Sequence, residues 1–161
     1  MKNLILIRHA KSNWDAPLSD KDRSLNKRGI DDAHLVSEKI SGDLPKTFVI
    51  WSSTAKRASE TAMIFTQNIS CPVESIIFKD ELYTFDSNQL EKTIKSCNND
   101  YDCVILFGHN EAITDFVNKF GDVFIEHVPT SGFVSINFDN DAWGSIDKGT
   151  IGQVVFPKDL K

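Results

Sequence analysis

Short runs that are apolar at every position, each ending abruptly in polar residues, restrict this chain more than any other feature. The first is LILI at residues 4–7, followed by TFVIW at 47–51 and YDCVILF at 101–107. Continuous apolar runs of this length, without alternation, fit strands covered on both faces, which is the condition of strands in a parallel sheet. Residues 73–78 (VESIIF) form a weaker candidate strand. Helical patterns separate these runs. In residues 30–40, Ile30, Ala33, Val36 (or Leu35) and Ile40 fall near one face, with Gly42 and Pro45 punctuating the end. SSTAKRASETAMIF opens with Ser52, Ser53 and Thr54, which are natural N-cap residues. Helices are also expected over 88–96 and 111–119, whereas the polar stretch 13–28 reads as irregular. After Pro129 come FVSINF, AWGSI and GQVVF, separated by Asn-, Asp- and Gly-rich turns, which predicts a closing β-hairpin or meander. The expected fold class is therefore α/β: a mainly parallel central sheet with helices on both faces, in a single domain over residues 1–161.

The net charge of −5 argues against nonspecific attraction to nucleic acid or acidic lipid, so neither nucleic acid nor a membrane is expected as a partner. If the chain handles anions, the positive charge must be local. Cys71, Cys97 and Cys103 are odd in number and lack zinc-type spacing, so they read as reduced thiols. With a four-residue N-terminal apolar run and no membrane-length stretch, a cytoplasmic location is expected.

The ends of the strands carry the chemistry. The first run stops at Arg8-His9, the second enters a helix containing Arg57, and residues 101–107 lead into Gly108-His109. Open α/β sheets bind ligands beyond the carboxyl ends of their strands. If these strands are parallel neighbours, two guanidiniums and two imidazoles share one small volume, which costs stability unless an anion joins them. A phosphoryl group fits: guanidiniums match its oxygens in forked geometry, and neighbouring positive charge keeps an imidazole neutral and nucleophilic. A metal fits poorly, because the arginines would repel it and no HxH or HxxxH spacing is present. No metal and no cofactor are expected.

IRHA, SSTAKRASETA, LFGHNEAI and DKDRSLNKRG, taken in order, resemble the histidine phosphatase (phosphoglycerate mutase-like) superfamily. RHAKS, the short chain and VPTSGFVSI near the C-terminus make the resemblance greatest to the SixA-type phosphohistidine phosphatases. Two positions depart from the family pattern: Thr54 stands where a Pro is usual, and Asn26 where a Thr is. The resemblance implies a phosphoglycerate mutase-like fold and a phosphatase that works through a covalent phosphohistidine. In that reading His9 is the nucleophile, and Arg8, Arg57 and His109 form the phosphate pocket, with His109 stabilising the transferring group. Arg23 either reaches this pocket or forms a salt bridge beside it, and Ser12 and Asn13 are candidates to hydrogen-bond phosphate. Glu81, in DELYTF, is a candidate general acid or simply a surface or capping residue. A phosphoramidate needs less help from an acid than an ester does, so the expected substrate is phosphohistidine on a partner protein. A small phosphorylated molecule, cleaved as a phosphomonoester, is the alternative. A noncatalytic phosphate-binding module is a third reading, disfavoured because both His9 and Arg57 are present.

Several other residues invite plainer readings. An Arg-His pair alone would merely end a strand; its register with Arg57 and His109 gives it meaning. His34 reads as a surface residue of a helix, and His127 is undecided. Ser131 lacks a G-x-S-x-G elbow and is expected to shape the rim, while Trp14, Trp51 and Trp143 are core or rim residues.

Overall fold

The computed structural model describes residues 1–14 and 17–161. Its six strands are β1 (Lys2–Arg8), β2 (Val49–Ser53), β3 (Ile76–Lys79), β4 (Cys103–Gly108), β5 (Phe133–Phe138) and β6 (Thr150–Val155). All join one sheet in the order β3-β2-β4-β1-β5-β6. β3, β2, β4 and β1 run parallel, whereas β5 is antiparallel to β1 and β6 to β5. Four helices accompany them: α1 (Lys27–Ile40), α2 (Lys56–Asn68), α3 (Ser87–Lys95) and α4 (Ala112–Phe120).

The uniform apolarity of the strands follows from this layering. Leu4, Leu6, Val104 and Leu106 pack with Leu90 and Ile94 of α3 and with Ile113 and Phe116 of α4. The alternate residues Ile5, Ile7, Ile105 and Phe107 pack with Val36 and Ile40 of α1 and with Ala62 and Phe65 of α2. Successive side chains point to opposite faces of a strand, and here both faces are covered, so every position is apolar. The expected α/β architecture, with its mainly parallel sheet and antiparallel C-terminal pair, is the one observed.

Four local expectations need correction. AWGSI is no strand: Trp143–Ser145 is a 3-10 turn that seats a buried Trp143, whose indole N–H donates to the Tyr101 carbonyl at 2.7 Å. Residues 73–75 likewise form a 3-10 turn, and β3 begins only at Ile76. α1 starts at Lys27, inside the stretch expected to be irregular, because Asn26 caps it by accepting from Gly29 N–H at 2.8 Å. The N-cap of α2 is Ala55 rather than a hydroxyl residue; the Ser53 hydroxyl instead accepts from Ala55 N–H at 3.2 Å.

α1 also fixes the loop after β1. Asn26 N–H donates to the Lys11 carbonyl at 3.0 Å. Gly29 packs so closely there that an added Cβ would lie 2.1 Å from the same oxygen. Ser12 then forms an antiparallel bridge with Leu25. No helix among the described residues is long and apolar enough to cross a membrane.

Candidate active site

The sheet brings the two histidine-bearing ends side by side. Arg8, the last residue of β1, is in register with Gly108, the last of β4, and His9 N–H donates to the Gly108 carbonyl at 3.0 Å. The His9 and His109 ring centroids are consequently 5.2 Å apart. β2 lies on the far side of β4 and delivers the start of α2, whose second residue is Arg57. His9, Arg8, Arg57 and His109 thus meet at one carboxyl edge.

The tautomer of His9 is set by a group that can only accept. Its Nδ1 lies 2.7 Å from the Ala10 carbonyl oxygen, so Nδ1 carries the proton and Nε2 keeps its lone pair. Arg57 Nε donates toward that Nε2 at 3.4 Å. Burial pulls the His9 pKa down to about 3, against the Ala10 hydrogen bond and with the aid of Arg57, Arg8 and Arg23. The ring is therefore neutral near pH 7, with its unprotonated nitrogen facing the guanidinium. Thr61, at 0% exposure, holds this loop to α2: its Oγ1 accepts from Ala10 N–H at 2.9 Å and donates to the Arg57 carbonyl at 2.7 Å.

His109 is held in the complementary way. Arg57 Nη2 donates to its Nδ1 at 3.3 Å, which leaves Nε2–H to donate to the Ser53 hydroxyl at 2.8 Å. Burial, then His9 and Arg57, push its pKa down to about 2. Without an anion, His109 offers the pocket a lone pair and no proton. A phosphoryl dianion would reverse the local field and favour protonation at Nδ1, turning that nitrogen into a donor.

Arg57 is 2% exposed, and its remaining donors meet Asp20. Nη1 donates to the Asp20 carbonyl at 2.6 Å and Nη2 to its Oδ2 at 3.0 Å. The same carboxylate accepts from Arg23 Nη2 at 2.7 Å and from the Tyr83 hydroxyl at 2.5 Å. Burial alone would raise the Asp20 pKa, but Tyr83, Arg23 and Arg57 together hold it well below the usual carboxylate range. Asp20 is thus an internal anion seated on the arginines. Arg23 pairs with Asp20, and its charge helps to lower the His9 pKa. Its guanidinium also stacks 3.4 Å from the Trp14 ring and donates to the Ser12 hydroxyl.

The remaining candidates separate. Ser12 is buried behind Arg23, and Asn13 sits beside it with its backbone N–H donating to the Ser24 carbonyl at 2.8 Å. Glu81 is exposed and makes no hydrogen bond or ion pair with a described residue. Two residues on, Tyr83 packs its ring 5.4 Å from His109, and Phe85 packs at 5.5 Å. Arg8 Nη1 lies 3.1 Å from both His127 Nε2 and the Val128 carbonyl. Of the plainer readings, His34 is half-buried and meets the Asn68 amide at 3.0 Å. Trp51 and Trp143 are core and Trp14 is rim. Ser131, at φ +62°, wraps the strand end, its N–H donating to the Arg8 and His9 carbonyls.

Sequence reasoning missed Asp20, Tyr83, Ser53 and Thr61. Ser53 and Thr61 had a signal, as the Ser before Thr54 and the T-A of SSTAKRASETA; Asp20 and Tyr83 had none. One further observation unites the site. Among the described residues, the buried side-chain nitrogen and oxygen atoms without a partner are Arg8 Nε, Arg23 Nε and Ser131 Oγ. Buried donors are rarely left unsatisfied. All three belong to residues around His9, where an oxygen-rich ligand would supply acceptors.

Comparison with known proteins bears on the family and the fold. Residues 4–102 match the model of the histidine phosphatase superfamily (branch 1). An uncharacterized protein of Mycobacterium leprae is 29% identical over 112 residues, a match covering 67% of this chain and 66% of that protein. The protein histidine phosphatase SixA, solved with tungstate, shares the fold at TM-score 0.83 and 22% identity, with 99% of each chain covered. A mycobacterial glucosyl-3-phosphoglycerate phosphatase shares it at TM-score 0.68 and 11% identity, with 94% of this chain and 97% of that one covered. With its family pattern running through both arginines and the first histidine, the chain belongs to the histidine phosphatase superfamily, branch 1.

Proposed function

We propose that this protein is a phosphatase in which His9 accepts the phosphoryl group of a phosphohistidine side chain on a partner protein and then loses it to water. The observation that carries the reading is the neutral His9 ring, with Nδ1–H fixed on the Ala10 carbonyl and the Nε2 lone pair beside Arg57.

In the first step Nε2 attacks phosphorus in line, the Nε2–P bond forms, and the P–N bond of the substrate breaks with its electron pair returning to the leaving imidazole. A proton already on the distal nitrogen of that imidazole lets it leave neutral. The Ala10 carbonyl does the same for the enzyme. It keeps the proton on Nδ1, so phosphorylated His9 is an imidazolium and a good leaving group when water attacks. Both hydrogens of that water end on the released phosphate, and His9 returns to its starting tautomer. Arg57, Arg23 and Arg8 supply positive charge to the phosphoryl oxygens, and His109, once protonated against the bound dianion, adds a hydrogen bond.

Neither step requires a protein acid, and the site provides little of one. Asp20 is held ionised, and Glu81 stands exposed without a partner among the described residues. An alkoxide leaving group would need that proton, so these residues favour a phosphoramidate over an alkyl ester. The fold shared with a phosphatase named for glucosyl-3-phosphoglycerate supports the second reading, a small-molecule phosphomonoesterase using the same nucleophile.

Brief incubation with 32P-labelled phosphohistidine protein, followed by denaturation, should trap acid-labile, base-stable label on the enzyme. His9→Ala should carry none; equal labelling of that variant would remove His9 from the reaction. Faster turnover of sugar phosphates than of phosphohistidine would select the second reading.

A further inference from the structure

A groove of about 850 Å³ begins at Arg8 and His127 and extends to the first half of α1 and the 3-10 turn Pro157–Leu160. It is far larger than a phosphoryl group requires, and its charge opposes that of the chain. In a protein of net charge −5, five cations (Arg8, Lys11, Arg28, Lys158 and Lys161) line it against two carboxylates, Asp32 and Glu126. Asp32 is buried and already paired with Lys161 at 2.9 Å and with Arg28 at 3.8 Å. Lys11 and Lys158 have no ion-pair partner among the described residues. The lip is apolar: Phe124 is 77% exposed, and Ile125 and Phe156 lie beneath it. An exposed phenylalanine beside unpaired lysines suits a partner that brings both apolar and acidic side chains.

We propose that this groove docks an acidic, apolar-containing segment of the phosphorylated protein, beside the phosphohistidine presented to His9. The inference rests on the phosphatase reading and names the class of substrate it serves. Continuity supports it, because Arg8, the last residue of β1 and the neighbour of His9 in the chain, lines one end of the groove, so a segment lying there runs up to the site. Charge complementarity supports it as well: in a chain of net charge −5, this groove gathers five cations against two carboxylates and so attracts an acidic partner that the net charge would repel.

Three substrates test it: N-phosphoimidazole and two synthetic peptides phosphorylated on their one histidine, with flanking Glu and Leu in one and flanking Lys and Ser in the other. The acidic peptide should show a KM roughly fivefold below that of the basic peptide, a typical effect of rim charge. Lys158→Glu and Phe124→Ala should erase that preference without changing kcat or the turnover of N-phosphoimidazole. Glu126→Lys should move KM the other way. Equal KM values for the two peptides, or variants that affect all three substrates alike, would overturn the docking role while leaving the phosphatase intact. If none of the three is turned over, it is the phosphatase reading that fails. The groove is then judged separately, by NMR titration with the unphosphorylated acidic peptide. Shifts at Phe124 and Lys158 support docking, and their absence, or shifts with nucleic acid or a second copy of the chain instead, count against it.

Discussion

Asp20 presents the sharpest conflict at the scale of single residues. Its carboxylate accepts from Arg57, Arg23 and Tyr83, and two of these are the guanidiniums that a phosphoryl group would use. Such charge-assisted bonds are worth more than neutral ones, so an incoming phosphate must displace the carboxylate or share its donors. Asp20→Asn keeps the shape and removes the charge. We expect inorganic phosphate to bind this variant about tenfold more tightly, read by calorimetry, since a like charge leaves the pocket. The same change should lower stability by roughly 1–3 kcal/mol, because buried Arg57 loses its ionised partner. Weaker phosphate binding would mean that Asp20 orients the arginines for the ligand instead of competing with it.

At the scale of elements, the site depends on short bonds that tie loops to helices. Thr61 joins α2 to the loop that fixes His9, and Ala10 N–H has its hydroxyl as acceptor. Thr61→Val preserves the volume and removes that acceptor. It should cost about 1–3 kcal/mol in chemical denaturation, the penalty for an unsatisfied buried donor. It should also slow turnover, since the ring loses its anchor; unchanged kcat would show that Ala10 is held well enough by β1. Gly29→Ala tests the other side of the same loop. Its Cβ would lie 2.1 Å from the Lys11 carbonyl, so α1 or the loop must shift, at a cost of about 1–3 kcal/mol or more. The expected readout is a lowered midpoint together with weaker phosphate binding, because Ser12 and Arg23 move with the loop. What the sequence made legible here, and what it hid, follows from the range of the signal. Strand ends carrying Arg8-His9 and Gly108-His109 were readable because an apolar run must stop somewhere, and a stop made of such residues is informative. Asp20 was not readable: it lies in a mixed-charge stretch, and its partner Arg57 is brought to it only by the tertiary fold. Glu81 drew attention in DELYTF as the residue with acid chemistry, yet the side chain that reaches the site is Tyr83. AWGSI reads as a strand because turn residues bound it, but burying Trp143 against the Tyr101 carbonyl favoured a turn. The hydroxyls that looked like caps for α2 were committed elsewhere, Ser52 to the Ser53 carbonyl and Ser53 to His109.

At the scale of the whole molecule, the site stores a pH dependence. His9 and His109 both have folded-state pKa values lowered from 6.5, to about 3 and about 2. Between those values and 6.5, the unfolded chain binds protons that the folded chain refuses, so stability rises with pH through that window. The contribution of each ring is fully present above about pH 6.5 and is lost as the pH falls, by up to about 1.4 kcal/mol per pH unit per histidine. Thermal unfolding should therefore show a midpoint that is flat above neutrality and drops steeply from pH 6 to pH 4. The depressed Asp20 adds to the loss only below the ordinary carboxylate range, which separates its effect from that of the imidazoles. Phosphate or tungstate should blunt the drop, because an anion among Arg57, Arg23 and His109 stabilises the protonated ring that burial and Arg57 disfavour. The histidine part can be isolated with His109→Gln, which keeps a hydrogen-bonding side chain and removes one titration. Its midpoint should fall about half as steeply over the same range, and anion binding should lose much of its proton uptake, measured by calorimetry in buffers of different ionisation heat. A wild-type midpoint that stays level from pH 7 to pH 4, or proton uptake unchanged in His109→Gln, would show that the two rings are not kept neutral by the fold.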